Sequence, residues 1–152
     1  MNPEALFWKV VSGAFPLPNA AKMLGWKFLS YDAENSEAKI EFDASAALTN
    51  PMGNIQGGML SAMLDDCMGP ALYACLATDQ TAVTLESKTS YLNPASPGTI
   101  FGQGRIEHLK GGICFTSGQL SNEAGEILAT ATATYRISKL NVATAKERGS
   151  AT

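Results

Sequence analysis

Residues 53–76, GNIQGGMLSAMLDDCMGPALYACL, make one long apolar stretch of helical character in a chain whose other segments are mostly strand-like. Before it, WKFLSYDA and EAKIEFDA read as two strands joined by the polar turn AENS. After it, TAVTLESKTSYL, TIFGQGRIEHL, ICFTSGQLS and EILATATATYRIS read as four more, rich in β-branched and aromatic residues. Between those four stand NPASPG, KGG and NEAG, all turn compositions. Two strands, one helix and four strands leave no strand–helix alternation, so a doubly wound parallel sheet is disfavoured. The order predicts an α+β fold, an antiparallel sheet of about six strands around one central helix. In such a sheet the first and third strands are the candidates for free edges, and a second copy pairing there would cover one. Short helical turns are expected within residues 3–13 and at PLPNAAKMLG, an N-terminal helical segment over 1–23, and a loose tail at 138–152.

The helix carries two adjacent carboxylates, Asp65 and Asp66. Ionised carboxylates are costly to bury unless something pairs or uses them. Gly57 and Gly58 open the helix, and their free N–H groups lie at the positive end of its dipole, a natural oxyanion site. Asp65 is eight residues further on, about 12 Å along the axis. A catalytic carboxylate and an oxyanion donor must each approach one reacting carbon to about 3 Å. If both act in one reaction, the Asp belongs to a second subunit, with two helices antiparallel across a dimer interface. Asp66 is turned about 100° from Asp65, which predicts a different environment for it. Pro70 has no N–H to offer the Asp66 carbonyl, so a kink is expected there, with water or a side chain on the freed oxygen. The same spacing also fits two Asp residues on a solvated stripe of a bent surface helix.

Several function classes are set aside by composition. A length of 152 residues fits one domain, and a net charge of −3 gives no general attraction for nucleic acid or anionic membrane. No uninterrupted apolar run reaches the roughly 18 residues a membrane span needs. The N-terminal residues lack a basic segment followed by an apolar core, and the three cysteines show no CxxC spacing. A cytoplasmic protein without disulfide framework, metal or cofactor is expected. No GxSxG occurs, so serine hydrolase chemistry has little support. Cys67 and the single histidine, His108, could form a pair, but small buried cysteines are commoner. His108 is also badly placed for a hydratase. GQGRIE sits inside a strand pattern and lacks the third glycine of a dinucleotide fingerprint, so it reads as structural.

NPMGNIQGG, followed by an Asp nine residues after the Gln, resembles the acyl-CoA thioesterases of the hotdog fold, in their phenylacetate-degradation (PaaI-like) branch. The resemblance covers roughly residues 17–137 and includes LG at 24–25, YLNPA after the third strand, and the glycine turn before EILATATATYRI. It implies a hotdog thioesterase domain over 1–137 that hydrolyses the thioester of a small aromatic or medium-chain acyl-CoA. Coenzyme A would be part of the substrate, and the protein a homodimer or a dimer of dimers. The roles it implies are the Gly57 N–H on the thioester carbonyl, Asp65 of the partner chain as general base or nucleophile, Asn50 near the carbonyl or the water, and Thr84 positioning that water. Gln56, just before Gly57 and Gly58, stands where the family usually has His; it cannot titrate near neutrality and is expected to orient the loop. Coenzyme A phosphates need cations or N–H groups, for which Lys88, Arg105 and the Lys110–Gly111–Gly112 turn are candidates. Met59, Met63, Met68 and Leu72 are spaced to line an acyl pocket, although such methionines are commonly plain core. In the third strand, alternation puts Thr84, Glu86 and Lys88 on one face and Val83, Leu85, Ser87 and Thr89 on the other. The rival reading is a non-catalytic hotdog domain that binds acyl-CoA or another apolar ligand.

Overall fold

The computed structural model describes residues 4–140. Two short helices come first, α1 (Leu6–Val11) and α2 (Asn19–Met23), then strands β1 (Trp26–Asp32) and β2 (Glu37–Ala44). The long helix α3 (Gly57–Tyr73) follows, and then β3 (Gln80–Tyr91), β4 (Gly98–Lys110), β5 (Ile113–Asn122) and β6 (Ile127–Lys139). β6 therefore runs into the expected tail, whose residues 141–152 lie outside the described residues.

All six strands form one antiparallel sheet in the order β1-β2-β4-β5-β6-β3, so β1 and β3 are its edges, as the segment order implies. One face packs on α3. Leu60, Met63, Leu64, Cys67, Met68, Ala71 and Leu72 are buried on the helix, a spacing of three and four that makes one apolar face. β2 meets it with Ala38, Ile40, Phe42 and Ala44 at the period of two that a one-sided strand requires. On β6 the buried partners are mostly alanines, Ala129, Ala131 and Ala133, ending at Tyr135.

The glycines of GQGR explain how the helix can lie so close. A Cβ on Gly104 would sit 2.2 Å from the Cys67 carbonyl oxygen, and one on Gly102 2.2 Å from the Cys67 sulfur. Only bare backbone lets α3 cross β4 at this distance.

α3 continues through Pro70 as one helix from Gly57 to Tyr73. The carbonyl that Pro70 leaves without a donor, that of Asp66, accepts a hydrogen bond from Trp26 Nε1 at 3.0 Å. An indole from β1 satisfies it.

Candidate active site

The helix N-terminus is held by backbone bonds from the preceding loop. Gln56 N–H donates to Leu48 O at 2.9 Å and Ile55 N–H to Ala95 O at 2.7 Å. Within the loop, Asn50 Oδ1 accepts from the N–H groups of Met52 (2.9 Å) and Asn54 (3.2 Å). That leaves the Asn50 amide NH₂ without a partner among the described residues. Gln56 caps the helix by its backbone alone, since its carbonyl accepts from Met59 and Leu60 N–H while its side chain is exposed and unbonded. Among the described residues the Gln56 side chain makes no hydrogen bond. Gly57 and Gly58, at the first two helical positions, have N–H groups with no intrahelical acceptor. Asn50, Gly57, Tyr91 and Asn93 line a cavity of about 310 Å³ at this end. The Tyr91 ring packs so closely that a Cβ on Gly57 would meet it at 3.3 Å.

From there a polar seam runs along the helix towards its middle. Gly57, Ser61 and Asp65 are spaced by four residues and face the edge strand β3. Ser61 Oγ bonds Thr89 Oγ1 at 3.0 Å and Tyr91 Oη at 2.6 Å. Asp65 Oδ1 accepts from Tyr135 Oη at 2.9 Å and from Thr84 Oγ1 at 3.2 Å. Burial, and then the Asp65 charge, raises the Tyr135 hydroxyl above its ordinary pKa, so it stays a donor to the carboxylate.

A β-bulge brings Thr84 to that position. Thr84 pairs with Tyr135 and Glu86 with Thr134, so Leu85 is the extra residue and the facing inverts across it. Thr84 therefore lies on the helix side with Ser87, Thr89 and Tyr91, whereas Glu86 and Lys88 lie on the outer face. This corrects the alternation expected from the sequence and puts Lys88 on the face away from the helix. Lys88 instead lines an outer-face cavity with Arg105 and Gln103.

Asp65 and Asp66 both line a second cavity, of about 290 Å³, with Thr84, Tyr135, Trp26 and Tyr73. Their surroundings nevertheless differ, as the turn of about 100° between them implies: the Asp65 carboxylate is held by two hydroxyls and that of Asp66 is not. Among the described residues the Asp66 carboxylate has no hydrogen-bond or ion-pair partner. Burial first, and the Asp65 charge second, push its pKa up to about 6.

Other expectations are corrected by position. Met63, Met68 and Leu72 are fully buried between helix and sheet, and Met59 is half-buried against the same core, so none lines either cavity. They sit on the face of α3 that packs on the sheet. Cys67 is buried beneath the helix with its thiol pKa raised by desolvation, while His108 is exposed against the Phe115 ring on β5. No Cys–His pair exists. The turn Lys110–Gly112 is at the Thr84 end of the sheet, because Ile113 pairs with Arg136 and Arg136 with Val83. It is two strands away from β3 and lines neither cavity. Residues that the sequence reading passed over are Ser61, Tyr135 and Trp26; the four-residue spacing of Gly57, Ser61 and Asp65 was the signal available for the first.

One protomer therefore holds two separated halves, Asn50 and Gly57 at the helix tip, Asp65 and Thr84 eight residues along it. Among known proteins, the model of the thioesterase superfamily matches residues 52–129. No match was found among curated proteins. Of solved structures, a phenylacetic acid degradation-related protein of Ralstonia eutropha is 36% identical, with a TM-score of 0.82 over 86% of this chain and 98% of that one. The PaaI protein of the E. coli phenylacetic acid degradation operon is 20% identical, with a TM-score of 0.73 over 86% of this chain and 91% of that one. A Streptococcus mutans protein solved with acetyl CoA bound is 22% identical, with a TM-score of 0.67 over 75% of this chain and 89% of that one. The sheet, its central helix and these likenesses agree: the chain belongs to the thioesterase superfamily, as a PaaI-like thioester hydrolase of the hotdog fold.

Proposed function

We propose that the protein hydrolyses acyl-CoA thioesters of small aromatic or medium-chain acids, at sites that each combine Asp65 and Thr84 of one protomer with Gly57 and Asn50 of another. The observation that carries this is the separation of the two halves along one helix, together with a free edge that could bring them together. β3 has no strand on its outer edge among the described residues, and Val83 and Leu85 on it are 53% and 56% exposed. Thr84 touches Asp65, and Tyr91 packs on Gly57. Antiparallel pairing of two β3 strands about a two-fold axis midway between these residues, at Ser87–Lys88, would set each Asp65 beside the other protomer's Gly57. It would also convert a long unpaired edge into the centre of a continuous sheet. A relative of the same fold binds acetyl CoA, which supports this substrate class.

In that arrangement the Gly57 N–H polarises the thioester carbonyl, strengthened by the helix dipole. Asp65 Oδ1 is held by two hydroxyls, so Oδ2 remains to take a proton from a water steered by Thr84. The water oxygen bonds to the carbonyl carbon, the carbon–sulfur bond breaks, and its electron pair leaves with the thiolate. The thiolate is a good leaving group, so a carboxylate base suffices without a histidine.

The test is thiol release from a panel of acyl-CoAs by the full chain and by Asp65→Asn. The proposal expects turnover that falls by about 10²–10⁴ in kcat in the variant. Tight acyl-CoA binding without turnover in the unmutated chain would make it a binding domain instead.

A further inference from the structure

Resting on the shared-site reading above, we infer that the acyl group lies in the cavity beneath α1, and that Leu6, Val10 and Leu17 set the length of chain accepted. The cavity that contains Asp65 and Thr84 is also lined by this N-terminal segment, through Leu6, Phe7, Val10, Leu17 and Pro18. A group whose carbonyl carbon sits at Asp65 therefore has apolar surface ahead of it. Pro70 and Tyr73 line another part of the same cavity.

α1 is oriented for the task. On one side it is pinned by Trp8, whose Nε1 donates to Ala74 O at 3.1 Å and whose ring makes edge contacts with Phe28 and Tyr31 at 5.8 and 6.1 Å. Leu6 and Val10, four residues apart, share another face of the helix and look into the cavity. No residue of α1 is buried and Leu6 is 61% exposed, so this apolar face is not spent on the protein's own core. It is continuous with the carboxylate that the reaction uses, which singles out the substrate's acyl group as the occupant.

An acyl chain that runs on from Asp65 along this lining reaches Leu6, Val10 and Leu17, so the bulk of those side chains decides how much of it is accepted.

The experiment is a series of straight-chain acyl-CoAs from two to sixteen carbons, assayed with the full chain, Val10→Trp, Leu17→Trp and Val10→Ala, with melting curves to verify folding. The unmutated protein is expected to show kcat/KM rising with chain length to a medium-chain optimum and falling beyond. Each Trp variant should lower the ratio of octanoyl to acetyl turnover at least tenfold, and Val10→Ala should move the optimum to longer chains. An unchanged length profile in folded Trp variants, or an equal loss at every length, would overturn the inference. Should the unmutated chain release no thiol from any substrate, the hydrolytic reading fails, and the pocket is judged by octanoyl-CoA affinity. A tenfold weakening by Val10→Trp then upholds it and an unchanged Kd rejects it.

Discussion

Asp66→Asn removes a carboxylate that lines an apolar-walled cavity with a second one and has no partner among the described residues. Its folded-state pKa of about 6 stands above the ordinary Asp value of 3.8. In the pH interval between these values the folded state binds more protons than the unfolded state, so stability falls as pH rises. Below the unfolded value both states are protonated and Asp66 costs nothing. Above about 6 the cost is complete and constant. Two units correspond to about 3 kcal/mol as an upper bound, and water reaching the half-buried group brings the expected figure to about 1–3 kcal/mol. The amide resembles the protonated acid, so Asp66→Asn should be more stable than the unmutated protein by that amount at pH 8. For a chain of this length each kcal/mol raises Tm by about 2–4 °C. Melts at fixed protein concentration, in steps from pH 4 to 8, measure it. The difference should vanish near pH 4. A difference that stays constant with pH, or a variant less stable at pH 8, would refute the placement of Asp66 as an unpaired buried acid.

Trp26→Phe leaves the Asp66 carbonyl without its donor and should cost about 1–3 kcal/mol, read from urea unfolding. In a Pro70→Ala background, which restores a backbone N–H to that carbonyl, the same change should cost less. Tyr135→Phe removes one of the two hydroxyls on Asp65 and is expected to lower kcat about tenfold with little change in KM, by steady-state thiol release. Gly104→Ala drives a Cβ into the Cys67 backbone and should cost more than about 3 kcal/mol or abolish folding, whereas Gly58→Ala, with open space around it, should melt within a few degrees of the unmutated chain. Single turnover in ¹⁸O-water should label only the released acid; label in the Asp65 carboxylate would make that residue a nucleophile.

The strands and the helix were legible because each has a local signature, period two or spacing of three and four with turn residues between; the two edges followed only as candidates from the order of the segments. The spacing of Gly57 and Asp65 was legible too, since rise per residue fixes it whatever surrounds the helix. What stayed hidden depends on non-local contacts. Nothing near Leu85 announces a bulge, yet that single extra residue decides which face Thr84 and Lys88 occupy. The methionine spacing is the same whether the helix faces a pocket or a sheet, so Met63 could not be placed from periodicity. Pro70 announced an orphaned carbonyl, but its donor, Trp26, is forty residues away on β1. The cavity wall from α1 is hidden for the same reason: Leu6 and Val10 approach Asp65 only through the fold.

The central claim is that Asp65 works with the helix tip of a different protomer. Subunit mixing tests it most directly, with Asp65→Ala and Asn50→Ala chains that are each inactive alone, unfolded together and refolded as a mixture. In a mixed dimer one site receives both substitutions and the other is intact, so an equal mixture should recover about a quarter of the unmutated activity, from half the dimers with one of two sites working. A mixture as inactive as its components, while shown to contain the mixed dimer, would mean that both residues serve a site within one chain.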